Sequence, residues 1–99
     1  MAVKYMTLAR KLQSACLVKG EKLLFNSRQW YSKEQNRAIT QYIVLKTNEE
    51  NGKEVNQELF KTYSQVQLVL FLRDYWYTLN GWALPTDNPE WEEIKTNVL

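Results

Sequence analysis

The chain contains 99 residues with a net charge of +2, and a quarter of its residues are charged. This length, combined with four Trp, six Tyr and three Phe, is typical of one folded domain rather than of a disordered segment, and we interpret residues 1–99 as a single α+β domain. Histidine is absent and Cys16 is the only cysteine, which excludes an internal disulfide and a structural zinc site and removes the commonest general base. We therefore expect a protein that is not an enzyme and that uses no cofactor.

Charge divides the chain into a basic and an acidic part. Residues 1–46 contain nine Lys or Arg against two Glu, a net charge of +7, whereas residues 47–99 contain four Lys or Arg against nine Asp or Glu, a net charge of −5. Such a division concerns the choice of partners more than the fold.

Export and membrane insertion are not predicted. Charged residues interrupt every apolar stretch among the first 20 residues, so no signal peptide is evident there. No apolar run approaches the roughly 18 residues that span a membrane. We expect a cytoplasmic protein with no membrane partner.

The N-terminal part of the chain predicts a helix followed by a strand. Apolar residues recur at helical spacing over residues 7–18, with basic residues between them, and Gly20 supplies a stop. This pattern predicts a basic amphipathic helix. The aliphatic and aromatic residues 23–25 and 30–31 flank a polar centre, and we interpret them as a first strand.

Residues 38–62 predict a β-hairpin. β-Branched residues dominate residues 38–47, which favours a strand. Asn51-Gly52 is a strong signal for a type I′ turn, because both central residues of that turn need a positive φ, and residues 55–62 supply the return strand. In the strand over residues 38–47, Ile39, Ile43 and Leu45 lie on one face and Thr40, Tyr42 and Val44 lie on the other.

A long apolar helix is predicted to begin at Gln65. Ser64 and Gln67 have the spacing of a capping box, ten of the fourteen residues 66–79 are apolar, and Gly81 supplies a C-cap. Alternation of apolar residues within this segment also permits a strand, but its length and both caps favour a helix.

Such a helix has to be covered on nearly every side. One sheet covers one face, so we expect the remaining surface to form the interface of a homodimer. A local ion pair and an interface salt bridge are both compatible with the adjacent Arg73 and Asp74. The residues expected at this oligomer interface are Phe71, Arg73, Tyr75 and Trp76.

The last predicted element is a short C-terminal helix. Asp87 is an N-cap candidate, Pro89 stands at the first helical position, and three Glu follow where the helix dipole favours anions. The expected architecture is therefore α+β: a small three-stranded antiparallel sheet packed by an N-terminal helix, a long apolar helix and this short C-terminal helix.

The most function-like pattern combines cations with flat aromatic residues. Such a combination suits the phosphates and bases of a nucleic acid, or the surface of a protein partner. The alternative is that the two aromatic residues belong to the core at a strand end and that the cations form a solvated rim. The candidate binding residues are Arg28, Trp30, Tyr31, Lys33 and Arg37.

Two segments carry a resemblance to known proteins. NSRQWYSKEQNRAITQYIVLKT (residues 26–47) and SQVQLVLFLRDYWYTLNGWALPTDNPEW (residues 64–91) cover about half of the chain. They resemble small accessory proteins carried by integrative and conjugative elements, plasmids and phages of Gram-positive bacteria, the YddF-like group. Small proteins of such elements include inhibitors of host defence, among them anti-CRISPR proteins directed at type II effector nucleases, and the resemblance implies that class without assigning active residues.

Two functions are therefore expected. The first is a non-enzymatic binding protein of a mobile genetic element that inhibits a host defence machine, such as a type II CRISPR nuclease or its guide RNA complex. A mimic of DNA should be strongly acidic, which the net charge of +2 does not suit. Binding to a nuclease surface or to guide RNA is therefore favoured. The alternative is a nucleic-acid-binding accessory module that works through the basic N-terminal half.

Overall fold

The computed structural model describes residues 4–85 of the chain. Its three strands form one antiparallel sheet in which they are adjacent in sequence order. The predicted α+β class with a three-stranded antiparallel sheet is therefore confirmed. In chain order the elements are α1 (Tyr5–Val18), β1 (Leu23–Ser32), β2 (Arg37–Glu50), β3 (Lys53–Thr62) and α2 (Gln65–Asn80).

The helices differ from the predicted set of three. Residues 4–85 contain two, α1 and α2, and the short C-terminal helix expected at Pro89 lies outside the described residues. The description of α2 as apolar on nearly every side is wrong. Gln67, Asp74 and Thr78 are spaced seven and four residues apart and so share one side of the helix; Gln67 and Thr78 are exposed and Asp74 is half-buried.

Both ends of α2 follow from local sequence. The Ser64 hydroxyl accepts a hydrogen bond from the Gln67 amide at 3.4 Å, as expected of the capping box. Gly81 has φ +72°, the left-handed conformation that ends many helices. The Trp82 amide then donates to the Tyr77 carbonyl at 3.0 Å, which satisfies one of the last free carbonyl groups.

The two hairpins are built on turns with left-handed residues. Asn51 and Gly52 join β2 to β3 with φ +53° and +78°, which confirms the turn predicted from the Asn-Gly pair. Residues 33–36 join β1 to β2, and Asn36 has φ +52°. β2 is the central strand and pairs with β1 along all of β1, whereas its pairing with β3 shifts register between Val44 and Leu45.

The core lies on one side of the sheet, where α1 and α2 pack against each other and on the strands. Phe60 of β3 and Phe71 of α2 stack in parallel with ring centroids 4.5 Å apart. No helix among residues 4–85 is long and apolar enough to cross a membrane. The buried residues of the core are Leu8, Ala9, Leu12, Cys16, Leu23, Val44, Leu68, Val69, Leu72, Trp76 and Tyr77.

Candidate partner-binding face of the sheet

The side of the sheet opposite the helices carries an apolar row among polar residues. Residues paired across an antiparallel ladder project to the same side, and successive residues of a strand alternate between sides. Leu23 and Val44 belong to the helix-covered core, so their neighbours along the strands point the other way. We call this other side the open face. Its residues include Leu24, Asn26, Arg28, Trp30, Ser32, Arg37, Ile39, Gln41, Ile43, Leu45, Glu58, Lys61 and Tyr63.

An apolar row runs along β2 on the open face. Ile43 is 8% exposed although it is not part of the core cluster under the helices. Ile39 and Leu45 are half-buried on the same side, and Leu45 pairs with the half-buried Leu24 of β1. A sheet with one solvated face normally alternates apolar and polar residues. Here both faces of β2 are apolar, and α1 and α2 cover only one of them.

An aromatic pair lies beside this row. Trp30 of β1 is 42% exposed and pairs with Ile39, while Tyr63, just after β3, is 63% exposed. Their rings meet edge to face across β2, with centroids 6.1 Å apart and planes inclined by 75°. Tyr31 is 60% exposed. The alternative in which Trp30 and Tyr31 belong to the core is therefore wrong.

The predicted cations lie around the aromatic pair. Arg28 is exposed and pairs with Gln41 in the ladder, and its side chain makes no hydrogen bond or ion pair with any of residues 4–85. Arg37 is exposed opposite Ser32, and its Nε donates to Gln35 at 3.0 Å. Lys33 lies in the β1–β2 turn.

The structure brings together three of the five predicted binding residues. Arg28, Trp30 and Arg37 share the open face. Tyr31 points to the other side of the sheet, where its hydroxyl donates to the Asn36 side chain, and Lys33 belongs to the turn rather than to the face. Because Tyr31 follows Trp30 directly in a strand, the two rings cannot lie on one side.

Sequence reasoning did not assign Gln41, Lys61 or Tyr63 to the site. Tyr63 stands between a strand and a helix cap and carries no periodic signal of its own. Lys61 lies on the open face next to Ile43, and its Nζ is 3.1 Å from Glu58 Oε1. The sequence of β3 alone does not say on which side of the sheet Lys61 lies, because this depends on the register between β3 and β2.

The residues predicted at an oligomer interface are used within the chain. Trp76 is buried in the core cluster, where its ring meets that of Tyr77, and Phe71 stacks on Phe60. Arg73 is 4% exposed, and its Nε and Nη2 donate to Asp74 Oδ1 at 3.1 and 3.0 Å. This contact is the local ion pair, one of the two arrangements that the sequence allowed for these residues. The homodimer itself stays a prediction.

A polar cluster lies where α2 approaches the residues that join α1 to β1. Glu21 Oε2 is 2.9 Å from Lys46 Nζ and accepts a hydrogen bond from the Tyr75 hydroxyl at 3.1 Å. The hydrogen bond with Lys46 lowers the pKa of the Glu21 carboxyl. Burial raises the pKa of Tyr75 and raises that of the nearby Cys16 thiol to about 11. Both groups therefore keep their protons, and neither is an activated nucleophile. The contacts of Glu21 with Lys46 and Tyr75 join β2 and α2 and have a structural role.

Residues 4–85 contain no group of three or more carboxylate or thiol side chains placed to hold a metal ion. In comparisons with known proteins, no family model, curated protein or solved structure matches the chain. The open face is therefore interpreted from its own geometry.

Proposed function

We propose that this protein is a non-enzymatic binding protein of a mobile genetic element, and that it inhibits a host defence machine by docking on it through the open face. The machine proposed is a ribonucleoprotein of the type II CRISPR class, a nuclease with its guide RNA. The observation that carries the proposal is the apolar row of β2 on the side of the sheet away from α1 and α2, together with the exposed Trp30 and Tyr63 beside it.

The open face has the composition of an interface. Contiguous apolar surface that is rimmed by polar residues marks binding sites on small proteins. Ile39, Ile43 and Leu45 form the apolar centre, and the exposed Arg28 and Arg37 lie at its rim. Aromatic residues and Arg are enriched at interfaces, and the exposed Trp30 adds a large ring to this surface.

The polar cluster does not supply an activated nucleophile. A catalytic Cys or Tyr needs a lowered pKa or an adjacent base that removes its proton. Here the pKa values of both Cys16 and Tyr75 are raised, chiefly by burial. The resemblance of residues 26–47 and 64–91 to accessory proteins of mobile elements points to the same class of function.

A nucleic-acid-binding accessory module is the second candidate. It is supported by Arg28 and Arg37, which flank the exposed ring of Trp30 on the open face. Phosphate-dominated binding weakens steeply as salt rises, whereas an interface centred on apolar side chains does not. A complex with a guide-loaded nuclease that resists salt would therefore favour the first candidate, whereas binding of nucleic acid without inhibition of a nuclease would favour the second.

The direct test is inhibition of DNA cleavage by purified type II nucleases of Gram-positive bacteria, each loaded with its guide RNA. Wild-type protein is expected to inhibit at least one of them and to co-elute with the complex in gel filtration. Ile39→Asp places a charge on the open face and should abolish both effects. The matched control is Val55→Asp, since Val55 is an exposed residue of β3 on the other side of the sheet.

Three results would argue against the proposal. The first is no inhibition and no co-elution across the panel. The second is equal loss of activity in the two variants. The third is binding of nucleic acid by the wild-type protein without inhibition of any loaded nuclease, which would favour the accessory module.

A further inference from the structure

We propose that the basic end of the open face binds single-stranded RNA, with bases resting on Trp30 and Tyr63 and phosphates held by Arg28 and Arg37. The inference rests on the proposed function, because it identifies the part of the ribonucleoprotein that this surface contacts. It is nevertheless tested on RNA alone.

The aromatic pair offers two separate stacking surfaces. The planes of Trp30 and Tyr63 are inclined by 75°, so the ring that presents its edge to the other keeps both of its own faces clear of that contact. The two rings are 42% and 63% exposed. A base stacks on an exposed aromatic face with little regard to its identity, because every base has a π-face.

Cations surround this platform on the same side of the sheet. Arg28 is two residues before Trp30 on β1. Ser32 is two residues after Trp30, and Arg37 pairs with Ser32 across the ladder. Arg28 has no carboxylate or other polar partner among residues 4–85, and its charge is available to a phosphate. The nearest acid of the face on β3, Glu58, already contacts Lys61 at 3.1 Å.

The geometry favours an unpaired strand over a duplex. Bases within a duplex are stacked on one another and cannot lie on a protein ring unless they are splayed out. A sheet surface that carries exposed rings suits bases that are already free. Gln41 pairs with Arg28 and stands between Ile39 and Ile43 on the open face of β2, where it supplies an amide donor and acceptor beside the aromatic pair. Such a group can hydrogen-bond to the 2′-hydroxyl that distinguishes RNA from DNA.

The experiment is fluorescence anisotropy of a labelled ten-nucleotide RNA of mixed sequence with the full chain, at several salt concentrations. Wild-type protein should bind it in low salt and lose affinity as salt rises. Trp30→Ala and Tyr63→Ala should each weaken binding about 5- to 140-fold, the range expected for loss of a stacked base. Arg28→Ala should flatten the plot of log affinity against log salt by about 0.7, one phosphate contact of a single strand.

The chain offers a matched control for each change. Tyr31→Ala removes an exposed ring from the same strand but from the opposite side of the sheet. Arg10→Ala removes an exposed cation from α1. Both should leave affinity within about twofold of wild type. Circular dichroism melting of every variant shows whether a loss of binding comes from unfolding, and a variant that melts early is replaced by Trp30→Leu or Tyr63→Leu, which keep an apolar side chain.

Several outcomes would overturn the inference. They are no binding of wild-type protein to the RNA in low salt, equal losses for the controls and the open-face variants, tighter binding to the matching duplex, and equal affinity for single-stranded DNA of the same sequence. Failure here with retained inhibition of a nuclease would mean that the open face contacts the protein part of the complex. Failure of both would remove the proposed function as well.

Discussion

The stacked pair of Phe60 and Phe71 should couple β3 to α2 by a measurable energy. Substitution of either ring with Leu keeps an apolar side chain of similar volume, a change that usually costs less than about 1.5 kcal/mol. The parallel rings with centroids 4.5 Å apart add about 0.5 to 1.5 kcal/mol beyond the burial of area. Because either substitution breaks the stack, the double variant should cost less than the sum of the single variants by that amount.

Urea unfolding of wild type, both single variants and the double variant measures this coupling. The control cycle combines Phe60→Leu with Tyr31→Leu, since Tyr31 lies at the far end of the β1–β2 hairpin. Its two effects should add within about 0.3 to 0.5 kcal/mol. Additivity in the Phe60/Phe71 cycle would refute the stacking argument.

The same measurement bears on the predicted homodimer. Unfolding of an obligate dimer becomes more difficult as protein concentration rises. If Phe71 contributes mainly to the fold of one chain, the urea midpoint of wild type should not change with concentration. A midpoint that rises with concentration in wild type, and not in Phe71→Leu, would place this ring at an interface between chains.

Two further predictions concern stability. Glu21→Gln should destabilise the protein at pH 7, because the carboxyl with a lowered pKa stabilises the fold above its ordinary unfolded pKa and loses this effect as pH falls through the lower folded value. The difference between wild type and variant should therefore shrink in urea titrations toward pH 3, and a constant difference would contradict the role of the charge. Gly81→Ala should cost about 1 kcal/mol in the same assay because of its φ of +72°, and an unchanged midpoint would mean that the C-cap relaxes.

Local signals of the sequence were enough to define the β2–β3 turn and the start of α2. The Asn51-Gly52 turn and the Ser64 cap depend on residues within four positions of one another, and both are confirmed. The first strand is less well predicted. β1 runs without interruption from Leu23 to Ser32, although its centre is polar, because pairing with β2 along its whole length supplies the backbone hydrogen bonds that composition does not suggest.

The candidate site was only partly predictable because it depends on register. The sequence gathers Arg28, Trp30, Tyr31 and Arg37, but strand alternation places Tyr31 on the other side. Tyr63 reaches Trp30 across β2 from 33 residues further along the chain. β2 is apolar on both faces, so its pattern alone does not say which face the helices cover. That choice is made by the packing of α1 and α2.

The contact between α1 and α2 has a consequence for the order of folding. Each hairpin joins neighbouring strands, whereas Leu12 of α1 and Leu72 of α2 lie 60 residues apart in the same core cluster. Closing a longer loop costs more conformational entropy, so the hairpins can form before the helices meet. At a synthesis rate of about 5 to 20 residues per second, the 60 residues between Leu12 and Leu72 take roughly 3 to 12 seconds to make. During this time the apolar side of α1 has no α2 to pack against on the nascent chain.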